Sequence, residues 1–203
     1  MLKMLLLRHS FTEGNLKKRY VGVTDEPLCL DGTRFLKEHF YPDAEHIFVS
    51  PLRRCVQTAR LIYPDRAFHI IEELAECDFG DFENKNYQEL SDNPDYQKWI
   101  DSGAALPFPN GESREAFRWR TLRGFQKVVG YCLNRKAKSA AVVTHGGNIM
   151  NIMEEYVSPK KDYYQWHVEN GCGYLVELER SLWKRNWEEL HIVARVPHIP
   201  SRY

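Results

Sequence analysis

Two histidines and a set of arginines follow short apolar runs, at Arg8-His9, at Ser50-Pro51-Leu52-Arg53-Arg54 and at Thr144-His145-Gly146. These residue types suit one kind of chemistry, the handling of a tetrahedral oxyanion. A guanidinium offers a planar fork of donors that matches phosphate oxygens. A neutral imidazole can attack as a nucleophile when its other ring nitrogen is fixed by a hydrogen bond. Phosphoryl transfer spreads negative charge over three oxygens, so its catalysis is mostly positioning and electrostatic clamping. It also needs an acid for the departing alkoxide. Taken singly, each residue has a plainer reading. A lone histidine is usually a surface or satisfied polar group, and an arginine after a strand usually pairs or snorkels. Gly146-Gly147 alone reads as a loop or helix cap. Cys55 and Cys77 lie beside this set, but neither has the Cys-x5-Arg loop a thiolate phosphatase requires: the sixth residue onward is Leu61 for one and Glu83 for the other. His39, His46, His69, His167, His191 and His198 lack metal-ligand spacing and are read as structural, so no metal is expected.

Such residues act together only if the chain folds their segments to one place. Leu2 to Leu7 reads as a buried strand, apolar apart from Lys3. Asp31-Gly32 predicts a helix to His39 with Asp31 as N-cap. Ile47 to Val49 is a strand, and Ser50-Pro51 turns into a helix from about Leu52 to Ile62. His69 to Ile71 is a third strand. Residues 78–111 are acidic, aromatic and broken by Pro94, Pro107 and Pro109, as expected of an inserted lid with a short helix or two. Phe117, Leu122, Phe125, Val129 and Leu133 fall near helical spacing and predict one long helix over 113–134. Ala140 to Thr144 is a strand and Gly146 to Glu155 a helix. Tyr174 to Leu178 and His191 to Val196 are closing strands. Strands alternating with helices predict an α/β fold, a three-layer α/β/α arrangement around a mostly parallel sheet. In such folds ligands bind beyond the carboxyl ends of the strands, where the three polar segments would meet.

Composition narrows the field. The chain has 203 residues, read as one domain over 1–203 with the lid inserted at about 78–111. Apolar residues at 43% are enough for a substantial core and argue against disorder. The 28 Lys and Arg balance the 28 Asp and Glu, so no global field draws in nucleic acid or anionic membrane. The five cysteines are odd in number and scattered, which argues against a disulfide framework and suits a reducing cytosol. The apolar start is cut by Arg8-His9, and no stretch approaches the roughly 20 apolar residues of a membrane span. A cytoplasmic protein is expected.

Four motifs, in order, carry a family resemblance. Leu7-Arg8-His9-Ser10-Phe11-Thr12-Glu13-Gly14-Asn15 resembles the LxRHGxTxxN signature of the histidine phosphatase superfamily, also called phosphoglycerate mutase-like. Ser50 to Ala59 is similar to its SPLxRAxQTA segment, Leu74 to Glu83 to its LxExxFGxxEG, and Val142 to Gly147 to its second-histidine motif. The resemblance covers nearly the whole chain and implies a phosphoglycerate mutase-like fold and the following roles. His9 is the nucleophile that becomes phosphohistidine. Arg8 and Arg54 clamp the phosphoryl oxygens, Asn15 donates a side-chain hydrogen bond to one, and the Gly146 N–H adds a helix-terminal donor. A protonated His145 stabilises the charge, and Glu76 protonates the leaving oxygen. Composition alone does not pick Glu76 from Glu72, Glu73, Asp78 and Asp81; only motif position does.

Two departures stand out. Ser10 replaces the glycine after the nucleophile, which puts backbone angle and substrate shape in question. Asn84 replaces the glycine after Glu83.

Arg19 to Leu28 is similar to the RYxGxTDxPL stretch of the α-ribazole phosphatase-like branch. The resemblance thus implies metal- and cofactor-independent hydrolysis of a small phosphorylated metabolite, nucleotide-like or otherwise, with α-ribazole 5′-phosphate one candidate. Arg19 is expected to reach a second anionic group on it, and Tyr87, Tyr96, Trp99, Phe108 and Trp119 to offer rings for stacking or to form the lid's own core. The alternatives are a mutase and a non-catalytic phosphoryl-ligand binder. Beyond the metabolite, the only partner expected is a second copy of the chain in a homodimer; nucleic acid and membrane are not.

Overall fold

In the computed structural model, residues 1–185 and 187–197 are described; His198 lies outside them. The element order is β1 (Leu2–Arg8), α1 (Glu13–Leu16), α2 (Leu30–Glu38), β2 (His46–Val49), α3 (Arg53–Ile62), β3 (His69–Ile70), α4 (Pro94–Asp101), α5 (Arg114–Asn134), β4 (Ser139–Thr144), α6 (Gly146–Tyr156), β5 (Gly173–Leu178), α7 (Arg180–Trp183) and β6 (His191–Val196). The strands form one six-stranded sheet in the order β3-β2-β4-β1-β5-β6. Strands β3, β2, β4 and β1 pair in parallel, and β5 and β6 join antiparallel. The mostly parallel sheet is as the sequence predicts.

The apolar run Met4 to Leu7 of β1 follows from burial on both faces. Leu2, Met4 and Leu6 pack with Phe125 and Val129 of α5 and with Ile149 and Met153 of α6. Leu5 and Leu7 point the other way, onto Ile47, Val49 and the α3 residues Cys55 and Ala59. Helices thus cover the sheet on both sides, giving three layers. Helix α5 begins at Ser113, whose side chain accepts from the Ala116 N–H, and it buries Phe117, Phe125, Val129 and Leu133. Helix α2 departs from expectation in its cap. Cys29 is the N-cap, its sulfur accepting from the Gly32 N–H, and Asp31 sits in the first turn where its charge favours the helix dipole.

The segment 78–111 packs a small core of its own. Phe82, Leu90 and Tyr96 are buried there against Tyr20, Phe79, Trp99 and Phe108. Asn93 caps α4 and Pro94 opens it, where a missing N–H costs nothing. Among the described residues no helix is long and apolar enough to cross a membrane, and all five cysteines are free.

Strands β2, β4 and β1 are parallel neighbours, so Val49, Thr144 and Arg8 end at one sheet edge. The chain remains in register just past that edge, with the Ser50 N–H donating to Val143 O and the His9 N–H to Thr144 O. This places the three polar segments side by side.

Candidate active site

His9 and His145 are buried and face one another edge to face, ring centroids 5.1 Å apart. The His9 Nδ1–H donates to the Ser10 carbonyl at 2.7 Å, which leaves Nε2 as the ring nitrogen with a free lone pair. Ser50 Oγ lies 2.7 Å from Nε2 of His145, within hydrogen-bonding distance. The backbone around His9 is held from several sides. Its carbonyl accepts from Asn170 Nδ2 and from the Gly171 N–H, and the next N–H, of Ser10, donates to Thr58 Oγ1.

Ser10 accommodates itself simply. Its φ is not positive, and its hydroxyl donates to the Gly32 carbonyl at 2.9 Å, deep in the protein. Asn84, by contrast, does occupy the left-handed region, φ 56°, where Gly is favoured and Asn is among the tolerated side chains.

Arg54 at the start of α3 is wholly buried. Nη1 donates to Thr24 O at 2.8 Å, and Nη2 donates to Val21 O at 3.1 Å and Gly22 O at 2.8 Å. Arg8 Nη1 donates to Val168 O at 2.8 Å. In each guanidinium the Nε–H is buried and has no partner among the described residues. A buried cationic donor left unmatched is costly, and most buried polar groups avoid it. Two of them beside a pair of imidazoles form a site made for an anion.

Electrostatics agree. Burial first, then the neighbouring Arg54 and Arg8 charges, hold His9 well below the usual imidazole range. The same burial, then Arg54, His9 and Arg8, push His145 down as well. Both rings are therefore neutral in the free protein, and the expected imidazolium at His145 is not what this pocket favours until an anion offsets the two guanidiniums. Glu76 behaves oppositely: burial raises its pKa, against a 3.0 Å hydrogen bond from the Cys77 N–H and the pull of Arg54 and Arg8. Burial also pushes the Cys55 thiol up to about 12, so it is no thiolate.

Glu76 lines a cavity of about 250 Å³ together with Arg8, Gly146 and Gly147; His9, His145 and Arg54 are buried beside these residues and do not line it. Any side chain at Gly147 would displace the Glu76 carboxylate or the Phe117 ring, because a Cβ there would come within 2.7 Å of Glu76 Oε1 and 2.8 Å of the Phe117 ring. Gly146 opens α6 at the cavity edge, its amide at the positive end of the helix dipole. Asn15 Oδ1 accepts from Asn170 Nδ2 at 3.0 Å and from the Thr12 N–H, which leaves the amide NH₂ as the free end.

Arg19 is not brought to this place. Its guanidinium donates to both carboxylate oxygens of Glu89, at 2.6 and 3.1 Å, and it does not line the cavity. Of the aromatic residues singled out from the sequence, Trp99 and Phe108 line the cavity and Tyr96 is buried in the small core of segment 78–111. Tyr87 and Trp119 are exposed elsewhere.

Several site residues carry no sequence signal. His167, read as structural, lines the cavity and accepts from Arg8 Nη1 at 3.4 Å. Arg114 lines it too, its guanidinium 4.9 Å from the Tyr163 ring centroid. Arg120 donates to the carbonyls of Glu73, Ala75 and Glu76 and so pins the loop that carries the acid. These residues come from loops and helix faces whose approach depends on tertiary packing.

Fold and site together define an α/β protein in which two facing buried imidazoles, two guanidiniums with buried Nε–H groups and a carboxyl of raised pKa gather beyond one sheet edge. The chain belongs to the histidine phosphatase superfamily (branch 1), whose sequence pattern matches residues 4–188. It is 27% identical over 187 residues to the adenosylcobalamin/alpha-ribazole phosphatase of Salmonella typhimurium, covering 87% of this chain and 91% of the relative. The alpha-ribazole phosphatase structure from Shigella flexneri shares the fold with a TM-score of 0.80 at 23% identity, over 94% of both chains. The phosphoglycerate mutase structure from Thermus thermophilus matches with a TM-score of 0.69 at 25% identity, over 96% and 98% of the two chains. The chain is accordingly an enzyme of the phosphoric monoester hydrolase type.

Proposed function

We propose that this chain hydrolyses a small organic phosphomonoester through a phosphohistidine at His9. The observation that carries this reading is the pair of buried, unpartnered guanidinium Nε–H groups beside two facing neutral imidazoles. Arg8, Arg54, the Asn15 amide and the Gly146 N–H hold the phosphoryl oxygens. His9 Nε2, its proton kept on Nδ1 by Ser10 O, attacks phosphorus as the P–O ester bond breaks. Glu76, kept protonated more readily than an ordinary carboxyl, gives its proton to the leaving oxygen. Water then attacks the phosphorus, its proton passing to the Glu76 carboxylate; the P–N bond breaks, freeing phosphate and neutral His9.

The cavity beyond the phosphate supports a leaving group with a flat, apolar part. Its walls include the rings of Tyr20, Phe79, Trp99, Phe108, Phe117 and Tyr163, with Arg114 and His167 available to a polar substituent; the short skeleton of a phosphoglycerate would leave most of those rings untouched. A ring-bearing ester such as α-ribazole 5′-phosphate suits them better, in keeping with the named activity of the Salmonella relative.

Hydrolysis of p-nitrophenyl phosphate in EDTA tests the reaction. The expected result is turnover that survives the chelator, an acid-labile phosphoenzyme on quenching, and loss of both in His9→Ala. Turnover with no phosphoenzyme, or interconversion of 3- and 2-phosphoglycerate faster than hydrolysis, would defeat the reading.

A further inference from the structure

We propose that Glu83 is a positioning residue, holding Arg54 in its phosphate-clamping geometry through two intervening peptide groups. The inference rests on the reading of Arg54 as a phosphoryl clamp. Arg54 is fully buried and its guanidinium is met by three carbonyls rather than by a carboxylate. Those carbonyls belong to the loop 21–24, a segment with no regular structure to stiffen it. What stiffens it is Glu83 on the opposite side. Its carboxylate accepts from the Gly22 N–H at 3.1 Å, the Val23 N–H at 3.0 Å, the Thr24 N–H at 3.4 Å and the Thr24 hydroxyl at 2.7 Å.

The connection is direct. The peptide joining Val21 to Gly22 gives its N–H to Glu83 and its C=O to Arg54 Nη2. The peptide joining Gly22 to Val23 does the same. Each peptide dipole thus lies between an anion and a cation, with its positive end on the carboxylate and its negative end on the guanidinium. Hydrogen bonds in such a chain polarise one another, and charge-assisted ones are the stronger kind. The arrangement also explains Gly22, since a Cβ there would fall 2.0 Å from Cys77 O and 2.2 Å from Glu83 Oε1. Three of the four Nη hydrogens are used in this anchoring, which leaves the Nε–H and one Nη1–H to meet the ligand.

A double-mutant cycle read on inorganic phosphate binding tests this, with Glu83→Gln and Arg54→Ala made singly and together. Phosphate affinity is measured by titration calorimetry and by the ligand-induced shift in Tm. Glu83→Gln is expected to weaken phosphate about tenfold in the wild-type background and by less than about twofold once Arg54 is gone. Thr24→Val, which removes the 2.7 Å hydroxyl contact, should give a smaller loss with the same dependence, and it carries the cycle if Glu83→Gln does not fold. Equal losses in both backgrounds mean that Glu83 acts only on the fold, and would overturn the inference while leaving the hydrolase intact; so would no loss. A wild-type chain that binds phosphate and shows the coupling but hydrolyses no ester would overturn the functional reading instead. A chain that does not bind phosphate at all would overturn both.

Discussion

The phosphate end of the cleft and its lid end are built on different physical terms. At the phosphate end, His9, Arg54 and Arg8 are oriented by the backbone carbonyls of Ser10, Thr24 and Val168, on the loops beyond the strand ends. Each of those contacts is directional, and a misplaced group leaves a buried donor unmatched. At the lid end the walls are rings of the segment 78–111 and its neighbours, held by contacts such as Phe79 on Phe108 at 5.0 Å and Trp99 on Phe108 at 5.1 Å. Ring pairs of this kind tolerate exchange, each being worth about 0.5–1.5 kcal/mol beyond the area it buries. On the proposed reading, the chemistry is thus fixed by groups that have little room to vary, and the choice of leaving group by groups that have much more.

The comparison breaks most visibly at the nucleophile. His9→Ala should cut kcat by about 10⁴-fold or more on every ester, ring-bearing or not, because it removes the proposed attacking nitrogen. A residual rate that varied with the leaving group would place part of the chemistry in the lid. Next in size is Glu76→Gln, measured on an alkyl phosphate and on p-nitrophenyl phosphate. The loss should reach about 10²-fold for the alkyl ester and stay far smaller for the aryl one, whose leaving oxygen needs no proton. The pH profile gives the same assignment independently. In the proposed mechanism the first step needs Glu76 protonated and His9 neutral. Activity should fall as pH rises through the Glu76 pKa, above the ordinary carboxylate value, and fall as pH drops through the His9 pKa, well below 6.5. Glu76→Gln should erase the alkaline limb alone.

The same division governed what could be read from the sequence. The phosphate end was legible because strand-end geometry forces particular residue types into short, contiguous motifs: Arg8-His9, Ser50 to Arg54 and Thr144 to Gly147 each sit on one turn of chain. His167, Arg114 and Arg120 were not legible, since each arrives from a distant loop or helix face and no local spacing marks it. Arg19 shows the converse error. Motif position suggested an anion contact, but a carboxylate 70 residues away had already taken the guanidinium. The charge state of His145 also lay beyond motif reasoning, because it is set by burial and by two guanidiniums from other segments. Asp31 lost its predicted capping role to Cys29, whose sulfur has the position if not the usual chemistry of an N-cap.

Smaller effects sharpen the lid side. Trp99→Ala should raise KM about three- to tenfold for a ring-bearing ester and leave a compact alkyl phosphate nearly untouched, with kcat unchanged for both. An equal effect on both substrates would mean that Trp99 supports the phosphate end and that the two regions are less separable than their contacts indicate.

The smallest effect is expected at Arg19. Its bidentate pairing with Glu89 is partly exposed, and such surface pairs contribute little, so Arg19→Ala should change kcat/KM by less than about twofold. Comparison of singly and doubly phosphorylated substrates makes the measurement decisive. If Arg19 stays on Glu89 during turnover, both classes respond alike. A selective loss with the doubly charged ester would mean that the guanidinium leaves Glu89 to meet the substrate, and the lid would then read charge as well as shape.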